Sequence, residues 1–267
     1  MTTTSADTFR ALHRLGDPLV MPNAWDAGSA RLFESLGFLA VATTSSGFAA
    51  TLGRLDGGVT AAEAIDHTAA LVAATSRPVN ADLEDCFADD PAGVAATIAA
   101  AAGAGAAGAS VEDFTRRREA PIHDIALATE RVAAAVQAAG PSGLVVTARA
   151  ENLIRGVDDL ADTIRRLQAY QEAGADVLYA PGLATVDAVR AVVTSVDRPV
   201  NVLLRPGGPV VGALADAGAA RVSVGGALAW VAWGAVATAA RELLVEGTSS
   251  WSPLSTAGNE AAHRALG

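Results

Sequence analysis

Pro78-Val-Asn-Ala-Asp-Leu-Glu-Asp85 is a short apolar run that enters from a proline and ends in three carboxylates within four residues. Read as a strand, it alternates its faces with period two, so Asn80, Asp82 and Glu84 point the same way where the run leaves a sheet. Three acids this close repel one another unless they are solvated, protonated or gathered round a cation, and an oxygen-only set suits a hard ion such as Mg²⁺. Taken alone, the stretch reads more simply as acids that cap the next helix or face water, so its neighbours decide.

Working outward, runs of the same kind recur. Strands are expected at 18–24, 39–43, 79–82, 107–112, 144–149, 176–180, 200–204 and 221–224, with helical patterns at 5–15, 26–36, 60–74, 91–102, 125–138, 157–172, 185–195, 210–217 and 226–245. Thr44-Ser-Ser-Gly-Phe-Ala49 reads as a small-residue loop whose backbone amides approach a ligand, and the tail after Gly247 reads as irregular. Eight short, nearly continuous apolar strands alternating with helices are what parallel strands covered on both faces look like. Ala-Gly-Ala turns recur before strands, where Gly supplies the left-handed helix cap. The expected fold class is α/β, a single (β/α)8 TIM barrel over 1–267 with 226–267 as a C-terminal helix and tail. An open doubly wound sheet is the alternative, but no Gly-x-Gly-x-x-Gly follows the first strand and no P-loop occurs.

The chain has 267 residues and is 51% hydrophobic, enough for one large core. Net charge is −10, and Arg116-Arg117-Arg118 is the one basic cluster, so nucleic acid is excluded as a partner. The single cysteine, Cys86, rules out a disulfide framework and a Cys-based zinc site and suits a cytoplasmic enzyme. The longest apolar segments are Ala/Gly tracts broken by polar residues, so neither a signal peptide nor a membrane span is expected.

In such a barrel the ligand site lies at the carboxyl ends of the strands. The second strand runs into Thr44-Ser45-Ser46, with Asp56 in its loop; the third ends in Asp82 and Glu84; the fourth in Glu112-Asp113; the fifth in Arg149 and Glu151. Acids that cluster after apolar runs, rather than scattering over helix surfaces, point to an anion-plus-Mg²⁺ site. In it the acids hold the cation and Arg149 clamps a substrate carboxylate in a bidentate fork.

Pro22-Asn-Ala-Trp-Asp-Ala-Gly28, Thr44-Ser-Ser-Gly-Phe-Ala49, Leu52-Gly-Arg-Leu-Asp56 and Pro78–Glu84 occur in that order. They are followed by Gly108-Ala-Ser-Val-Glu-Asp113, Ala148-Arg-Ala-Glu151, Gly174–Pro181 and Arg221–Ala227. With these motifs at the spacing of successive barrel strands, the chain resembles the isocitrate lyase/phosphoenolpyruvate mutase superfamily. The resemblance implies an enzyme that uses Mg²⁺, or Mn²⁺ in its place, to make or break a C–C or P–C bond beside the carbonyl of a 2-oxo acid. It implies Asp82 as the direct metal ligand, with Asp56, Glu84 and Glu112 holding metal-bound waters. Arg149 would be the carboxylate clamp, and Thr44, Ser45 and Ser46 the donors to the substrate. It also implies a homo-oligomer, dimer or tetramer, whose last helix is exchanged between subunits.

One segment departs from the family pattern. Many lyases of the family place a Lys-Lys-Cys-Gly-His-like loop after the Glu-Asp strand, where this chain has Phe114-Thr-Arg-Arg-Arg-Glu-Ala-Pro-Ile-His-Asp124. With that cysteine absent, His123 is the candidate acid/base, alongside Arg149 and Glu112 as catalytic residues. Cys86 reads as a small packed residue and Trp230 and Trp233 as core or interface. The expected reaction is Mg²⁺-dependent lysis of a small 2-oxo or 2-hydroxy carboxylate, oxaloacetate- or methylisocitrate-like, through an enolate. The alternatives are phosphonopyruvate hydrolysis or phosphoenolpyruvate mutation, and a barrel that binds carboxylates without turnover.

Overall fold

Parallel pairing of the apolar runs builds one sheet in the computed structural model, which describes residues 3–267. Its strands are β1 (Leu19–Met21), β2 (Asn23–Ala24), β3 (Val41–Thr43), β4 (Val79–Asp82), β5 (Gly108–Glu112), β6 (Val145–Arg149), β7 (Val177–Tyr179), β8 (Val200–Leu203) and β9 (Arg221–Ser223). Their order, β1-β9-β8-β7-β6-β5-β4-β3-β2, brings the two ends of the sheet together at consecutive pieces of chain. The result is a (β/α)8 barrel whose first stave is in two parts. The strand expected over 18–24 is broken at Pro22, which has no N–H to give to a ladder. β1 therefore pairs with β9 and β2 with β3.

The helices are α1 (Ser5–Ala11), α2 (Ala27–Ser35), α3 (Ser45–Thr51), α4 (Ala61–Ala74), α5 (Pro91–Gly103), α6 (Ile125–Ala139), α7 (Leu160–Glu172), α8 (Val186–Val193), α9 (Val211–Asp216), α10 (Ala227–Val245) and α11 (Ser252–Leu266). Their starts follow from local chemistry. Asp26 with Ser29, and Thr60 with Glu63, form reciprocal capping boxes, and Asp90 caps α5 ahead of Pro91.

Two expectations are corrected. The stretch after Thr43 is helical: Thr44 caps α3 by accepting from Gly47 N. The tail is helical too, with Pro253 in its first turn, although α11 buries none of its residues. It packs against α2.

The main core, including Ile98, Leu167, Leu178 and Leu214, lies between the sheet and its helices. A second cluster closes the amino-terminal end of the barrel, where α1 inserts the fully buried Phe9 among Leu19, Met21, Val145 and Val177. One buried phenylalanine contributes about 1.5–3 kcal/mol. Gly108 makes the room, because a Cβ there would stand 2.7 Å from Phe9 Cε1. α10 is different: Trp230, Trp233, Val236 and Leu244 are exposed, and by length and apolar composition alone the helix is able to cross a membrane.

Candidate active site

The carboxyl ends of the strands surround a cavity of about 160 Å³. Period two turns alternate residues inward, so Asn80 and Asp82 of β4, Ser110 of β5, Arg149 of β6, Tyr179 of β7, Asn201 of β8 and Arg221 and Ser223 of β9 line it. Ser45 and Ser46 from the start of α3, and Asp56 from the following loop, complete the wall. Barrel interiors are ordinarily filled by branched apolar side chains. This one is polar at its ligand end and small, against about 300–1,000 Å³ for drug-sized sites.

Arg149 is the hub of the charges. Its Nη1 lies 3.1 Å from Asp82 Oδ1 and 2.7 Å from Glu112 Oε1, and its Nη2 lies 2.8 Å from Glu151 Oε1. The guanidinium sits 4.9 Å from the centre of the Tyr179 ring. Arg155 backs the same acids, 3.0 Å from Glu151 Oε2 and 3.7 Å from Glu112 Oε2. Burial drives the Glu112 carboxyl well above its ordinary range, against the pull of Arg149. Burial opposes the charge on Arg149 as well, but Glu112, Glu151 and Asp82 outweigh it and hold the guanidinium protonated. Asp82 is fixed by Ser45 N, which donates to Oδ2 at 3.2 Å, and by its own N–H to Thr43 Oγ1 at 2.7 Å.

Beyond Asp82 the alternation stops. Glu84, Cys86 and Phe87 have φ of 52°, 60° and 55°, the left-handed region that costs a side chain strain. Two arginines pin this turn. Arg116 reaches Glu84 Oε2 at 3.0 Å and Asp85 Oδ1 at 2.8 Å. Arg131, 1% exposed, donates to the carbonyl oxygens of Glu112 at 2.7 Å and Ala88 at 3.0 Å, and to that of Asp85. Burial pushes the Glu84 carboxyl up to about 7; Arg116 opposes the rise, while Asp56, Asp82 and Asp85 add to it.

Of the residues expected at the site, Ser45, Ser46, Asp56, Asp82 and Arg149 line the cavity. Thr44 is buried as the cap of α3, Glu84 turns to Arg116, and Glu112 stands behind Arg149. His123 is not brought in. An antiparallel bridge between Phe114 and Ile122 folds the loop back on itself, and His123 N donates to Asp113 O at 2.8 Å. Its ring is buried, 3.8 Å from Asp89, and burial lowers its pKa. Cys86 is fully buried and its thiol is pushed up, which makes it unreactive.

Among the described residues no three of His, Cys, Asp and Glu stand close enough together to ligate one ion directly. The donor set still fits Mg²⁺. It is all oxygen, Asp56 and Asp82 face one cavity, and the buried carboxyls nearby are neutralised by guanidinium groups. Mg²⁺ keeps several waters and takes one or two carboxylates, so acids spread round a small cavity suit it.

Arg131 and Arg221 were not singly legible as interior residues, nor Arg116 and Arg155 as partners of buried acids. Arg131 had a signal: it falls on the helix face of Ala128, Val132, Ala135 and Ala139, all buried.

Comparison with known proteins agrees with this fold. The family model for phosphoenolpyruvate phosphomutase matches residues 9–244. An uncharacterized protein of Mycobacterium tuberculosis is 33% identical over 219 residues, covering 82% of this chain and 81% of that one. A Burkholderia cenocepacia J2315 structure described at the level of a lyase/mutase superposes with a TM-score of 0.90 at 49% identity, covering 93% of this chain and 91% of the other. The structure of 2,3-dimethylmalate lyase, a member of the PEP mutase/isocitrate lyase superfamily, gives 0.84 at 27% identity, covering 93% and 90%. With a barrel of this topology and a matching family model over most of its length, the chain belongs to the phosphoenolpyruvate phosphomutase family of the PEP mutase/isocitrate lyase superfamily.

Proposed function

We propose that the protein is a Mg²⁺-dependent lyase that cleaves a C–C bond of a small 2-oxo or 2-hydroxy carboxylate through an enolate. The observation that carries this reading is the convergence of Asp56, Asp82, Ser45, Ser46 and Arg149 on one small cavity at the strand ends. Asp82 would hold Mg²⁺, or Mn²⁺, directly, with Asp56, Glu84 and Glu112 acting through water. A divalent cation supplies Lewis-acid stabilisation to charge developing beside a carbonyl. Arg149, oriented by Glu112 and Glu151, presents positive charge to the substrate's carboxylate side. The hydroxyls of Ser45 and Ser46 donate to its oxygens, and Thr44 holds their helix in place.

The whole chain, 1–267, is read as one barrel unit of a cytoplasmic homo-oligomer, dimer or tetramer, with 226–267 exchanged between subunits. The apolar face of α10 supports that reading, because Trp230, Trp233 and Val236 lie exposed along it.

An assay of purified protein with Mg²⁺ against oxaloacetate, 2-methylisocitrate, 2,3-dimethylmalate and phosphonopyruvate tests the reaction, with Asp82→Ala as the control. C–C cleavage that EDTA and Asp82→Ala abolish is expected; turnover indifferent to both overturns the metal site. Turnover of phosphonopyruvate alone would move the assignment to P–C chemistry. Inert substrates with an oxalate-induced rise in Tm that needs Mg²⁺ would make the protein a binder.

A further inference from the structure

Arg149 meets three carboxylates, whereas Arg221, on the floor of the same cavity, meets only neutral groups. Its Nε donates to Asn201 Oδ1 at 3.0 Å, its Nη2 to Thr147 Oγ1 at 3.1 Å, and its Nη1 to His13 Nε2 at 3.2 Å. His13 can accept because burial, with Arg221 beside it, holds its pKa down at about 3 and its ring neutral. Burial also lowers Arg221, but to about 9, so it is a cation at neutral pH. The side chain is 2% exposed. A buried guanidinium without an opposite charge is costly to keep, and N–H donors on Nη1 and Nη2 remain unspent.

Asn80 provides a second, independent sign. It is 4% exposed, lines the cavity, and its Oδ1 has no hydrogen-bond partner. That oxygen is turned on Gly108, where a Cβ would stand 2.8 Å from it, which leaves the amide N–H groups for the cavity. Those two N–H groups donate to no protein group, so they are free to meet an anion in the cavity.

We propose that Arg221 and Asn80 form the inner end of the ligand site, a seat for a second carboxylate, so that the cavity selects a small dicarboxylate over a monocarboxylate. The proposal rests on the reading of the cavity as a carboxylate site and adds the residue that sets its specificity. The ligand spans from Ser45 and Ser46 at the mouth to the uncommitted guanidinium at the floor. Arg149, held by Asp82, Glu112 and Glu151, serves the carboxylate at the metal end, and Arg221, without an acid beside it, serves the second one.

Calorimetric titration of the full chain with malonate and with acetate, each in Mg²⁺ and in EDTA, separates this from the metal reading. Arg221→Lys keeps the charge but loses the fork, and Asn80→Ala removes a side chain that makes no hydrogen bond, so the second variant keeps the test alive if the first does not fold. Malonate binding is expected to weaken at least tenfold in Arg221→Lys and several-fold in Asn80→Ala, in EDTA as well as in Mg²⁺, with acetate binding little changed and Tm retained. Folded variants that bind malonate like the parent overturn the inner seat. If the variants weaken malonate while Asp82→Ala and EDTA do nothing, the seat stands and the metal reading falls.

Discussion

Arg131 enters from the middle of α6 and ends on three backbone carbonyls that belong to the turn after β4 and to the end of β5. Each buried acceptor left without a donor costs about 1–3 kcal/mol. Arg131→Met is therefore expected to lower stability by several kcal/mol, read as a fall in the urea midpoint; a change below about 1 kcal/mol would show that water replaces the guanidinium. The residues that bear charge at the strand ends, Asp82 and Arg149 among them, are legible in the sequence because apolar runs lead directly into them. Arg131, Arg116 and Arg221 are not, since an arginine by itself signals solvent and only the fold brings carbonyls, acids or a cavity to it. His123 misleads for the opposite reason: its chemistry suits the task, but the hairpin of its loop buries it elsewhere.

At the scale of elements, the strands could be read from their short apolar runs because both faces of a parallel sheet are covered. α3 could not, because Ser45-Ser46-Gly47 has turn chemistry and becomes helical only through the Thr44 cap and its packing. The plug that α1 drives into the barrel depends on the missing side chain of Gly108. Gly108→Ala would crowd Phe9, Asn80 Oδ1 and Val145 O, and a loss of about 1–3 kcal/mol is expected on thermal unfolding. An unchanged Tm would mean that α1 swings away freely. For α10, Trp233→Glu with Val236→Glu is expected to shift the sedimentation coefficient to that of a monomer while the far-ultraviolet circular dichroism stays the same. An unaltered assembly would remove α10 from the subunit interface.

For the whole molecule, the balance of buried ionisable groups sets how stability responds to acid. Burial lowers His67 from 6.5 to about 4, and its ring stacks on Phe48 at 3.8 Å. The unfolded chain thus takes up this proton first, so the His67 contribution is complete above about pH 6.5 and is lost as pH falls toward 4, by up to about 3 kcal/mol. Glu84, raised to about 7, acts in the other sense, since the folded chain binds its proton first. The useful measurement is the difference in Tm between the parent and His67→Gln without added metal. It should shift in favour of the variant between pH 6.5 and 4.5, and a difference constant with pH would contradict the assignment.

The divided first stave has a consequence for how the chain is made. Closure rests on three residue pairs between β1 and β9 and two between β2 and β3, and the first of these joins Leu19 to Arg221. A ribosome adding about 5–20 residues per second reaches β9 on the order of ten to forty seconds after β1. For that interval Leu19 and Met21 lack the strand they pair with, and the nascent chain offers an open sheet edge to chaperones. Birth, rather than the finished fold, is when this barrel is most exposed to mispairing.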